Sequence, residues 1–409
     1  MPRGDFTAGE STGGPRLLVI LATALAVAGA GFSTFAESFE AAVARLRRPA
    51  VGIGMADFKD RVGLDGYRSE ADALAKAYEP AAAGFLRSRT KGPDIDSALL
   101  ALLTLAVLAD EPNAAAELAG CLRDSGFSDA HVLMALTYAP APTALASAEE
   151  ALARLDAQPK ALAAAAALFR FFGDAHHASL LEADLARLPE SALRLREEAT
   201  RDLVALRQRL ARPDEERRAW AAQDLTVWRA IRLMPDMHSV NSELWHQAGK
   251  ACAATRFTPA FLKDRLGAST IDLYELRLLL MIAGIQRETA VVPELTMFVE
   301  TARRSWGDAM DALLSIGTRE ALAPVERLIV PPKPPAEGGP IDGMSAERLE
   351  EVQRGALVSS LCERLARCGD RATLRLMESL AADTAYPPRE RDAFARARDA
   401  IRARLGAGP

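Results

Sequence analysis

The chain lacks the strings of residues from which chemistry is ordinarily read. No C-x-x-C, no P-loop and no H-E-x-x-H or H-x-x-x-H arrangement occurs in its 409 residues. No pair of carboxylates is spaced in a way that sets it apart from ordinary surface charge. Long alternating runs of β-branched residues are missing too, which argues against an extended sheet. Cysteine is scarce: Cys121, Cys252, Cys362 and Cys368 form no spaced framework. On a helix Cys362 and Cys368 would stand roughly 9 Å apart, too far for a disulfide, so all four read as small buried apolar side chains. Lysine is scarce as well, with seven residues, and a formal net charge of -5 argues against a general nucleic-acid binder, which needs a basic face for phosphates. Aromatic residues make up only 6% of the chain, while alanine and leucine dominate, a balance that suits closely packed helices.

Histidine offers little more. Asp174, His176, His177 and Glu182 are the nearest thing to a cluster, and Asp174 is placed to cap a helix whose solvent-facing first turn would carry the two histidines. His238 and His246, with Met234, Asp236, Met237 and Cys252, flank a break in the pattern and define the alternative reading, a helical enzyme or metal-binding protein with its site near 234–252. The main expectation is no enzyme, no cofactor and no metal.

What is present is helical periodicity. Between Trp306 and Ile329 the residues Trp306, Met310, Leu313 and Leu314 fall at helical spacing, Gly317 ends the helix, and Thr318 caps a second one with Leu322, Val325, Leu328 and Ile329 on one stripe. Such a hairpin cannot bury its stripe alone and must stack on others. Related hairpins are spaced through the chain. Turns near 110, 140 and 174 separate paired helices, and Leu152-Ala153-Arg154-Leu155 recurs as Leu185-Ala186-Arg187-Leu188. Further on, Ala290-Val291-Val292-Pro293-Glu294-Leu295 aligns with Ala321-Leu322-Ala323-Pro324-Val325-Glu326, and Arg371-Ala372-Thr373-Leu374 follows Gly369 in the same way.

The first set resembles tetratricopeptide-type repeats and the second resembles HEAT-like repeats. The resemblance implies an all-α, right-handed superhelical solenoid of stacked antiparallel helix pairs, of roughly sixteen to eighteen helices. It implies architecture and no binding residues. A helix is expected from about Ser69 to Leu86, a long charged helix over Glu190 to Leu210, another over Asp214 to Leu233, and a closing helix over Arg389 to Leu405 whose narrow stripe docks on one neighbour.

Residues 17–36 carry no charge, a length that at helical rise spans about 30 Å, the thickness of a bilayer core. They read as a signal peptide or a transmembrane anchor, an N-terminal hydrophobic helix that precedes the solenoid, after a flexible start at 1–16 and before a connector at 37–68. The tetratricopeptide-like array is then placed at 69–234 and the HEAT-like array at 235–409, interrupted by a proline- and glycine-rich loop at 331–343. The expected function is a non-catalytic interaction scaffold of the cell envelope that holds a partner protein or peptide on its concave surface, with a structural subunit of a membrane-associated complex as another reading. Candidate partner-binding residues are Trp220, Trp228 and Trp245, which crowd one region, and Pro331, Pro332, Pro334 and Pro335, which a groove lined by aromatics would accept.

Overall fold

A computed structural model describes residues 65–92, 95–124, 130–155, 158–233, 242–268, 271–301, 305–329 and 346–406. Among these residues the chain is entirely helical, with nineteen α-helices and no strand. The first eight are α1 (Asp65–Lys76), α2 (Ala82–Arg89), α3 (Ile95–Val107), α4 (Pro112–Asp124), α5 (Ala130–Leu136), α6 (Ala141–Leu152), α7 (Lys160–Phe172) and α8 (Ala175–Arg187). Two long helices follow, α9 (Leu193–Leu210) and α10 (Asp214–Leu233). The rest are α11 (Ser242–Ala253), α12 (Pro259–Leu266), α13 (Leu273–Gln286), α14 (Val292–Glu300), α15 (Trp306–Ile316), α16 (Arg319–Arg327), α17 (Ala346–Cys368), α18 (Arg371–Ala382) and α19 (Pro388–Gly406).

Local chemistry sets most of the boundaries. Gly317 takes φ 70° and its N–H bonds back to the Leu313 carbonyl, ending α15, while the Thr318 hydroxyl accepts from the Ala321 N–H to open α16. Asp370 caps α18 by accepting from the N–H groups of Ala372 and Thr373, and Asp174 caps α8 with His177 closing the box. The helix expected over Ser69 to Leu86 is two, because Pro80 has no N–H to continue the ladder and the chain turns at 77–81 before α2 begins. Alanine governs how closely α7 packs: its run from Ala164 to Ala167 is buried, so neighbouring helices approach its backbone with little side-chain volume between.

Most helices pack on their successor and on the next but one. Thus α1 meets α3, α3 meets α5, α5 meets α7 and α7 meets α9; later α11 meets α13, α13 meets α15, α15 meets α17 and α17 meets α19. The apolar interior forms two clusters. One runs from Tyr67 to Leu206 and takes in Trp228; the other runs from Ala205 and Trp220 to Ile401. Helices α9 and α10 contribute to both, and α10 also reaches α5, α7, α11 and α13. Arg229 of α10 fastens it to α5: its guanidinium donates to the Thr137 carbonyl at 3.0 Å and lies 3.5 Å over the Tyr138 ring. Burial holds the Arg229 pKa down at about 10.

Three further expectations change with the packing. His177 is not in a solvent-facing turn: only His176 is exposed, while the His177 ring lies 4.5 Å from that of Phe169, filling space beside the end of α7. The stripe of α19 meets both α17 and α18, with Phe394, Ala397 and Ile401 buried and Glu390 bonded to Arg354 at 3.2 Å. Trp306 is partly buried at the edge of the second cluster, not enclosed by it. Residues 17–36, the loop at 331–343 and the boundary at 234–235 lie wholly or in part outside the described residues. Among the described residues no helix is long and apolar enough to cross a membrane.

A candidate binding groove above a buried ion network

Where the two apolar clusters meet, the side chains that touch are charged. Arg170 of α7 is flanked by Phe169 and Phe171 and is almost wholly enclosed, so each of its N–H groups must find a partner in the protein. Its Nε donates to Asp224 Oδ2 at 2.5 Å and its Nη2 to the other oxygen of Asp224, a two-pronged pair between α7 and α10. Nη1 donates to Asp202 Oδ1 of α9 at 3.0 Å, and Nη2 reaches Glu275 Oε1 of α13 at 3.2 Å. Arg265 of α12 completes the set: its Nε donates to Glu275 Oε1 at 2.9 Å and its Nη1 to Gln208 Oε1 at 2.9 Å. Side chains from five helices, far apart in sequence, are thereby held at one point.

Burial alone would weaken the charge on each member, and the outcome differs along the network. Burial would lower the Arg170 pKa, yet Asp224 and Glu275 outweigh it and hold the guanidinium well above its ordinary value. Burial would raise the Glu275 carboxyl, but Arg265 and Arg170 pull it below the usual range. For Asp202 burial wins: its carboxyl is pushed up despite Arg170 and the more distant Arg232. Asp224 is wholly enclosed, whereas the Asp202 side chain keeps 12% of its surface open.

That opening leads into a groove. One cleft of about 400 Å³ lies over Arg170, Asp202 and Glu275, walled by Trp228 and Ile231 of α10 and by Tyr274 of α13. A second cleft of about 500 Å³ runs on from it between Leu133 of α5, Ala163 and Ala164 of α7, and Leu195 of α9. Arg194, Glu198, Asp202 and Arg232 line both, so the two clefts are one channel along α9 with Asp202 at the floor of the shared part. Arg194 is engaged with Glu198 at 3.1 Å. Leu193, next to Arg194 in the chain, is 62% exposed. A separate cleft of about 330 Å³ sits between α11, α13 and α15, with His246, Met281 and Ile285 in its lining.

The three tryptophans proposed from sequence separate into different roles. Trp228 packs edge-on against Phe171 at 5.6 Å and forms part of the groove wall, with the Arg232 guanidinium 5.3 Å from its ring. Trp220 is core, edge-on to Phe261 at 5.1 Å, and Trp245 is core, stacked on Tyr274 at 5.8 Å. Both indoles are buried, supplying apolar surface between α10 and α12 and between α11 and α13. Pro331, Pro332, Pro334 and Pro335 lie outside the described residues, as do Met234, Asp236, Met237 and His238. Cys252 is enclosed and burial pushes its thiol up to about 12, which disfavours the thiolate a metal would need. Among the described residues no three of His, Cys, Asp and Glu stand together as a metal cluster.

Sequence reasoning missed the network. Its signal was nevertheless present: Arg170 is the one charged residue in Ala161–Phe172, and Glu275 stands shortly before the apolar run Leu278-Leu279-Leu280-Met281-Ile282. A lone charge in a helix that is otherwise buried has to be paired. No protein-family model matches the chain, and no curated protein and no solved structure matches it.

Proposed function

We propose that this protein is a non-catalytic interaction scaffold that holds an extended segment of a partner protein in the groove along α9. The observation that carries the reading is the placement of one open channel directly above an enclosed five-helix ion network. Interlocked guanidiniums and carboxylates fix the positions of α7, α9, α10 and α13, so the channel walls are rigid before any ligand arrives, and a preformed channel costs less to fill. The channel's lining mixes acidic and basic side chains with the apolar surface of Trp228, Ile231, Leu133 and Leu195, which favours a peptide over an apolar small molecule.

The packing of each helix on its successor and on the next but one is the pattern of a stacked helix-pair array. It supports a right-handed superhelical solenoid, tetratricopeptide-like over 69–234 and HEAT-like over 235–409, with the channel on its concave side. Residues 17–36 would hold this array at a membrane, or direct its export, placing the scaffold in the cell envelope. Blocking the channel tests the reading. Ala163 lines the groove and is half-buried, whereas Ala222 of α10 is exposed and lies away from it. Proteins recovered with the full chain should be lost from Ala163→Trp and retained by Ala222→Trp; equal recovery from both would remove the groove from the account.

A further inference from the structure

The members of the buried network are unequally paired. Three carboxylates, Asp202, Asp224 and Glu275, are bonded to two guanidiniums, Arg170 and Arg265, while the buried Arg209 acts on Asp224 through space and donates to the carbonyls of Phe169 and Gly173. Asp224 and Glu275 each contact both arginines, so the positive charge is committed inside. Asp202 is joined to the set through Oδ1 alone, by a single bond to Arg170, and among the described residues no donor reaches its Oδ2. Asp202 is therefore the carboxylate of the set with the least direct pairing, and it is the member that opens into the channel.

A carboxylate with one bond at a largely enclosed position is costly, and the cost falls when a further opposite charge is brought to it. Burial raising the Asp202 carboxyl is the visible mark of that cost. None of the channel's own cations is bonded to Oδ2 among the described residues: Arg194 is paired with Glu198, Arg232 is exposed and acts on Asp202 through space, and Arg201 and Lys160, which also line the clefts, make no bond to the carboxyl. We infer that Asp202 is the receptor for one basic side chain, a lysine or arginine of the bound partner segment, which enters the channel where its two clefts join and gives the carboxyl its second bonded cation. The inference rests on the groove reading above and gives the occupant its chemistry. Trp228 and Ile231 flank the entry, and their apolar surface suits the methylene stem of a long basic side chain while its charged end reaches the floor.

Display of a random peptide library on the full-length protein tests this, with wild type, Asp202→Asn and Ala163→Trp as baits. Asparagine keeps an acceptor for Arg170 and removes only the charge. Peptides enriched on wild type and lost on Ala163→Trp should share a lysine or arginine at one register. Their affinity should fall by about tenfold or more on Asp202→Asn, and by a similar factor when that residue is replaced by norleucine in the synthetic peptide, a change that leaves the protein untouched. Channel-dependent peptides with no basic residue at a fixed register, or with undiminished affinity after the norleucine exchange, would overturn the role of Asp202 while leaving the groove in place. A selection that yields no peptide sensitive to Ala163→Trp would overturn both.

Discussion

Asp224 and Asp202 contact the same arginine, yet their surroundings predict different costs of removal. Asp224 is wholly enclosed and takes two bonds from Arg170, so Asp224→Ala strands a guanidinium in the interior and should destabilise the protein by about 3 to 5 kcal/mol in urea unfolding. Asp202 has one bond and an open side, so Asp202→Asn should cost about 1 kcal/mol or less. Equal costs for the two would mean that Asp202 is as deeply committed as its neighbour. The tryptophans divide in the same way: Trp245→Ala should cost about 3 to 5 kcal/mol, and Trp306→Ala distinctly less because that indole is only partly covered. For the thiols, burial pushes Cys252 and Cys362 up to about 12 from an ordinary 9.0. The folded state therefore binds more protons than the unfolded chain between those values, and stability should fall as pH rises through that window. At pH 8 neither thiol should react with a thiol reagent until the protein unfolds; rapid native labelling would contradict their enclosure.

At the scale of the element, two glycines in helices should respond oppositely to the same substitution. A Cβ at Gly284 of α13 would lie 2.9 Å from the Ala312 Cα of α15, so Gly284→Ala must push two packed helices apart and should cost about 1 to 3 kcal/mol. Gly84 of α2 faces open space, and Gly84→Ala should stabilise by about 0.5 to 1 kcal/mol through helix propensity alone. Thermal unfolding of the two variants separates them, and a like sign for both would mean that α13 and α15 are not in close contact. Elements of this kind were largely legible in the sequence, because their signals are local. Gly317 and Thr318 marked the turn between α15 and α16, Asp174 marked a cap, and the apolar spacing marked the long helices. The break at Pro80 was written there as well and was overridden by an apolar pattern that continued across it. The groove was not legible. Asp202 and Asp224 look like any acidic residue on a charged helix, and only the packing of α7 against α9, α10 and α13 gives them a common partner in Arg170.

At the scale of the whole molecule, α9 and α10 join two apolar clusters, and the ion network is the polar pin at that junction. The channel takes its walls from α5, α7, α9, α10 and α13, so its shape depends on both halves being folded and docked. The account's central claim is that this channel is where a partner segment lies. A photoreactive amino acid placed at Ala163 of the full chain in native cells, with the same group at exposed Ala222 as the comparison, tests it most directly. The account predicts a discrete protein adduct from position 163 and none from position 222. Adducts of equal yield from both positions, or from position 222 alone, would contradict it.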